Sequence, residues 1–189
     1  MNYPADIRLT VKPRTLRAWV LLVLSLLGTP VLAAVPAINP IDGLPHQWID
    51  DRGQPFDLRS LRDHPAIVTM AYASCHRICP GTMLRFQAWQ REFDARGVQV
   101  DFVIVGYDPE SDDARAWHHY RQSRGLNNSN WHFLVGSPQA VHQFAKSLGF
   151  EFWKVDEHVM HDDRVVFLDP QGPIAVNPTP SVVLARANQ

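Results

Sequence analysis

The sequence predicts an α/β domain: a mixed, mostly parallel sheet flanked by helices, extended by N-terminal strands and closed by a C-terminal hairpin. Three observations lead there. Apolar runs rich in β-branched residues at 66–73, 98–107 and 130–136 have the length and content of buried strands. Each is followed by a helical stretch, marked by apolar spacing after the first and third and by cap and terminal charges after the second. Such alternation needs crossover connections, which place parallel strands centrally and helices over the sheet faces.

The elements follow in order. "HQWIDDRGQPFDL", 46–58, reads as two short strands around a turn. After the strand at 66–73, Pro80 suits a first helical turn. Met83, Phe86, Trp89 and Phe93 then recur at helical spacing, and Gly97 ends the helix. After the strand at 98–107, Ser111 is the expected N-cap, with Asp112 and Asp113 in the first turn. Arg121 and Arg124 suit the last turn, and Gly125 the C-terminal stop. Ser137-Pro138 opens a third helix whose apolar face is Val141, Phe144, Ala145 and Leu148. "EFWKV", 151–155, reads as an extra short strand, and "DEHVMHDDR" as a loop. "RVVFLDPQGPIAV", 164–176, reads as a hairpin about a Pro–Gly turn.

The chain has 189 residues, 46% hydrophobic and 20% charged, enough for one globular core. Its N-terminus differs from the rest. Arg8, Lys12, Arg14 and Arg17 precede an apolar run at 18–27, followed by Gly28, Pro30 and small residues to Ala33. That layout predicts a signal peptide, or an uncleaved N-terminal membrane anchor, over 1–33. Residues 34–44 read as an extended linker and 45–189 as the domain. The expected location is outside the cytoplasm, in the periplasm, either soluble or tethered to the inner membrane. Residues 34–189 hold 14 basic and 18 acidic residues, an acidic excess that argues against nucleic-acid binding.

Both cysteines, Cys75 and Cys79, lie in "SCHRICP", 74–80. An oxidising compartment favours a disulfide. Closing so small a loop removes little chain entropy, so the pair is poorly placed as a structural staple. It stands where a strand end meets a helix start, the edge at which open α/β sheets build sites. A helix N-terminus also stabilises a thiolate. The spacing allows either a reversible S–S bond or a soft metal ion between two thiolates. Two thiolates and an imidazole favour copper, because soft ligands select Cu(I). Structural zinc would ask for four protein ligands.

The chain has nine histidines. His46, His64, His118, His119, His132 and His142 read as surface or structural residues, and His76 lies inside the motif. His158 and His161 stand just before the final hairpin, where a loop can face the first strand–helix junction. Spacing does not choose between these two.

Four pieces of the sequence resemble the Sco/SenC family. "IVTMAYASCHRICP" resembles its strand followed by Cys-x-x-x-Cys-Pro, and "FVIVGYDPESDD" its strand ending in Asp-Pro-x-x-Asp. "WHFLVGSPQAV" resembles the next strand and helix start. "HDDRVVFLDPQG" resembles a ligand histidine nine residues ahead of a Pro-x-Gly turn, which selects His161. The likeness spans roughly residues 43–176. It implies a thioredoxin-like fold and one copper ion per chain, held by Cys75, Cys79 and His161, with Asp108 a nearby acid. The implied role is assembly of the dinuclear copper centre of cytochrome c oxidase, with its copper-centre subunit or another copper-site protein as partner. The alternative is a thiol–disulfide oxidoreductase in which Cys75 attacks and Cys79 resolves a disulfide on exported protein thiols. This chain has His76-Arg77 where the family commonly has Pro-Asp, and Met160 and Asp162 flank His161. Its tail after the hairpin is not expected to supply the family's C-terminal helix.

Overall fold

The computed structural model describes residues 39–73, 79–156, 158–172 and 174–187. The expected signal segment, the first part of the linker and Cys75 lie outside the described residues. Nine strands are described: β1 Gln47–Asp50, β2 Pro55–Asp57, β3 Ala66–Ala71, β4 Asp101–Gly106, β5 Trp131–Val135, β6 Phe152–Val155, β7 His158–His161, β8 Val165–Leu168 and β9 Ala175–Val176. The helices are α1 Cys79–Asp94, α2 Ala114–Ser123, α3 Pro138–Leu148 and α4 Pro180–Ala187.

Seven strands form one sheet in the order β2-β1-β5-β4-β3-β8-β9, and β6-β7 form a second, two-stranded one. The main sheet is mixed, as expected. β3, β4 and β5 are parallel neighbours at its centre. The β1–β2 hairpin adds antiparallel to β5, and the β8–β9 hairpin adds antiparallel to β3. Alternation along each strand divides the core in two. Val68, Met70, Val103, Val105 and Leu134 face one side, with Val141, Phe144 and Leu148 of α3. Ile67, Phe102, Ile104, Phe133 and Phe167 face the other, with Phe86 and Phe93 of α1, Trp117 of α2 and Val183 of α4. Burial of both strand faces is why these runs are continuously apolar.

The helix starts and stops follow local chemistry. Ser137 caps α3 by accepting from Ala140 N, and Gly149 ends it in the left-handed region at φ +71°. α1 ends where Val98 N bonds Phe93 O across Gly97, itself at φ +68°. α2 corrects one expectation: its cap is Asp113, whose side chain accepts from Ala116 N, and not Ser111. The chain makes a further turn before the helix, with Ser111 N and Asp112 N both bonding Asp108 O.

Three other segments depart from the expectation. Residues 40–43, read as linker, form a 3-10 turn whose Ile41 is buried in the core beside Leu44. His158–His161, read as loop, is a strand paired with β6, opposite residues Val155 to Phe152. Its alternation was hidden among polar neighbours: Val159 is buried while Met160 is 48% exposed. The tail supplies a helix after all, because Val183 and Leu184 of α4 bury against the sheet.

One buried ion pair fastens the N-terminal hairpin to the body. Arg121 Nη1 bonds Asp51 Oδ1 at 2.9 Å, while its Nε and Nη2 donate to Leu126 O and Asn128 O, each at 2.8 Å. Both side chains are buried. Arg121→Ala leaves a carboxylate without its counter-charge, at an expected cost of about 3–5 kcal/mol. Urea unfolding should show this as a lower midpoint, whereas Arg96→Ala, at an exposed i,i+4 pair with Glu92, should cost below about 0.5 kcal/mol.

Candidate functional site

The candidate site forms at the C-terminal ends of β3 and β4. Parallel pairing continues to Ala71 opposite Gly106, and Tyr107 N then donates to Ala71 O at 2.8 Å. Tyr72 and Ala73 leave the end of β3, while Tyr107 and Asp108 leave the end of β4. The last described residues before the cysteine segment therefore lie beside the start of the Asp-Pro turn. Cys79 is the first residue of α1. Its side chain, like residues 74–78, lies outside what is described, and so does the expected Cys75–Cys79 disulfide.

His161 is the candidate ligand whose side chain is described. It stands at the base of the β6–β7 hairpin, opposite Phe152, while His158 is next to the turn. The imidazole packs between two rings: Tyr107 at 4.8 Å and 31°, and Tyr72 at 5.8 Å and 87°. Tyr107 in turn packs on Phe152 at 4.9 Å. His161 Nδ1 lies 2.6 Å from Asp162 O. A carbonyl can only accept, so Nδ1 carries the proton of this bond. Ring packing and this bond together fix the orientation of the imidazole.

A second tie joins the helix of Cys79 to the chain beyond His161. Thr82 Oγ1, in the first turn of α1, donates to Asp163 Oδ1 at 2.8 Å, and Arg85 Nη2 reaches the same oxygen at 3.5 Å. Thr82 is three residues after Cys79, and Asp163 two after His161. The tertiary structure thus brings the helix start and the histidine strand to one sheet edge. Asp162 has other work: its Oδ2 accepts from Glu151 N and Arg164 Nε.

Beneath this edge lies an acid that the sequence placed in a first helical turn and at the end of the Asp-Pro-x-x-Asp piece, without a role at the site. Asp112 is 1% exposed. It accepts from Ala73 N at 2.6 Å and from Asp108 N at 3.1 Å. Burial pushes its carboxyl up to about 7, against the lowering effect of those two bonds; the charges of Asp108 and Asp113 push the same way as burial. Asp108, expected as the nearby acid, lies in the wall of a cleft of about 250 Å³ with Tyr107, His142, Phe152 and Val159. Within the turn it is the Asp108 backbone that engages Asp112. The signal for Asp112 is its place as the closing acid of Asp-Pro-x-x-Asp, just after a fully buried strand.

Four of the other histidines have partners elsewhere. His132 Nε2 and His64 Nδ1 meet the two oxygens of Asp101 at 2.8 and 3.2 Å, at the opposite end of β4. His118 Nδ1 is 3.4 Å from Asp51, and His142 Nδ1 donates to Pro138 O. These contacts agree with their reading as structural or surface residues. Among the described residues, no group of three or more His, Cys, Asp and Glu side chains is arranged to hold a metal.

Asp112 imposes a pH dependence on stability. Its carboxyl titrates near 7 when folded and near 3.8 when unfolded, so between those values the folded state holds the extra proton. Stability should therefore fall as pH rises from about 4 to 7, by a few kcal/mol, and stay level above. Chemical denaturation at pH 5 and pH 8 should show the loss in the wild type. Asp112→Asn should shrink that difference to below about 1 kcal/mol.

Known proteins share this arrangement of strands. ScoI of Bradyrhizobium japonicum with copper bound superposes with a TM-score of 0.64 at 21% identity, covering 77% of this chain and 97% of that one. ScoI of Arabidopsis thaliana with copper bound gives 0.64 at 22%, covering 76% and 93%. BsSco, a Sco cytochrome c oxidase assembly protein described with a disulfide switch, gives 0.66 at 20%, covering 77% and 91%. At such identities the likeness shows the fold, which is thioredoxin-like. No curated protein sequence matches the chain. The SCO1/SenC family model matches residues 39–179, well over half the chain and all of the sheet and site just described; the chain belongs to the SCO1/SenC family.

Proposed function

We propose that this protein binds one copper ion through Cys75, Cys79 and His161 and passes it on during assembly of the dinuclear copper centre of cytochrome c oxidase. The observation that carries the reading is the held imidazole. His161 donates through Nδ1 to Asp162 O and packs against Tyr72, three residues before Cys75. With Nδ1 engaged, Nε2 is the nitrogen we assign to the metal, on a ring held against the end of β3 from which the cysteine segment leaves. Such second-side bonding is what orients metal-binding histidines generally. Two thiolates and one imidazole make a soft donor set suited to Cu(I). Family membership and the copper-bound relatives support the same reading. The cargo is taken up outside the cytoplasm, in keeping with the basic and apolar leader at 1–33.

Redox state gates this activity. Oxidation of the pair removes two electrons and two protons and joins the sulfurs, and the disulfide no longer offers two thiolates. Dithiol exchange by itself needs no positioned imidazole, so His161 separates copper handling from simple thiol–disulfide exchange.

Competition with a Cu(I) chelator should show one tightly held ion per reduced chain. His161→Ala should weaken it by about a hundredfold or more, since even partners outside the coordination sphere are worth about 10–100-fold. His158→Ala, at the turn end of β7, should change affinity by less than about threefold. The reverse ranking would move the ligand by three residues, and no effect of either would favour the oxidoreductase.

The cysteines should also form a reversible intramolecular disulfide, being four positions apart in sequence and within bridging reach. Differential thiol labelling and mass spectrometry should find Cys75 and Cys79 joined after mild oxidation and free after reduction. Oxidised protein should show no high-affinity Cu(I) uptake.

A further inference from the structure

Asp112 is a costly residue for its place. A carboxyl buried this far loses its hydration, and an amide or hydroxyl there would cost less. Capping is not its task, because Asp113 caps α2. Its carboxyl accepts instead from two segments far apart in sequence, Ala73 N and Asp108 N. Ala73 is the last described residue before the cysteine segment, two positions ahead of Cys75. The backbone ladder between the strand ends runs out with Tyr107 N bonding Ala71 O. The Asp112 carboxyl adds one more tie beyond it, made by a side chain. The surrounding space is closely fitted: a Cβ on Gly106 would lie 3.0 Å from Asp112 Cβ and 3.1 Å from Trp117 Nε1. Two amides aimed at one group need an acceptor on both of its terminal atoms, which a carboxylate offers and a carboxamide does not.

We propose that Asp112 is the positioning residue of the cysteine segment: by clamping Ala73 to the β4–α2 turn it fixes where the chain enters Cys75, and so sets how readily Cys75 joins Cys79 and how tightly the thiol pair takes up Cu(I). The Cu(I) half rests on the proposed function; the thiol half stands without it. The physical basis is pre-organisation. A segment held at its entry loses less conformational freedom when its thiol is brought to a second sulfur or to a metal ion.

Two equilibria on the full chain test this. In the first, protein dithiol and glutathione disulfide give protein disulfide and two glutathione thiols. In the second, reduced protein competes with a chelator for Cu(I). Asp112→Asn keeps the size of the side chain and removes one acceptor, and should lower both equilibrium constants about tenfold, the scale of losing one constraining bond. Asp113→Asn, one residue away at an exposed cap, should leave both within about twofold, since Asn caps as well as Asp. Asp112→Asn that folds and keeps both constants within about twofold of wild type overturns the proposal. Wild type without Cu(I) uptake, but with an Asp112-dependent dithiol equilibrium, removes the copper reading and leaves the positioning role standing. If Asp112→Asn does not fold, amide exchange of Ala73 in the wild type decides. Protection like that of the β3 amides is expected, and exchange at the open-chain rate overturns the clamp.

Discussion

The parallel pairing of β3 with β4 is the constraint from which the site follows. Six residues of each strand pair in register, from Ala66 with Asp101 to Ala71 with Gly106, and all twelve are buried. Parallel strands end on the same side, so the chain leaves β3 and β4 at one edge with its ladder bonds spent. Polar backbone must then find other partners. Tyr107 N takes Ala71 O, and the Asp112 carboxyl takes Ala73 N and Asp108 N. The end of β3 at Ala73 and the Asp-Pro turn at Asp108 are therefore held side by side by hydrogen-bond accounting, before any ligand enters.

The histidine reaches that edge by a different route. α3 packs on one sheet face through Val141, Phe144 and Leu148, and the chain then returns through the β6–β7 hairpin. A two-stranded sheet is marginal alone. This one is anchored by Phe152 and Val159 on the core and by Tyr107 against both Phe152 and His161. Its other face carries Trp153, 54% exposed, directly across from Met160. Alternation along β7 thus separates Met160, turned to solvent, from His161, turned to the tyrosines. Met160, the residue before His161, therefore falls on the outer face, away from the imidazole.

Two buried acids show how one fold uses charge in two ways. Asp51 is met by the Arg121 guanidinium, which also satisfies two carbonyls, and the result is a structural fastening. Asp112 has backbone donors and, among the described residues, no cation paired with it, and burial raises its carboxyl to about 7. The first arrangement compensates desolvation with an opposite charge. The second leaves much of that cost in place, next to the segment that carries the thiols.

The sequence by itself determined the layers and the chemistry. Strand runs such as "AIVTMA" and "DFVIVG" are apolar on both faces because helices cover both, and that periodicity is local. The Cys-x-x-x-Cys spacing, the Ser137 and Gly149 helix ends and the hairpin at 164–176 were legible for the same reason: each depends on residues close together in the chain. Only the tertiary structure decided the rest. His158–His161 became a strand because β6 was there to pair with it, and the tail became a helix because Val183 and Leu184 had a sheet face to bury against. Asp113 took the cap while Asp112 turned inward, a choice made by Ala73, some forty residues earlier. The packing of His161 between Tyr72 and Tyr107 likewise joins three separate segments. Contacts between residues far apart in sequence leave no periodic trace in it, because each partner alone looks like an ordinary polar or aromatic residue.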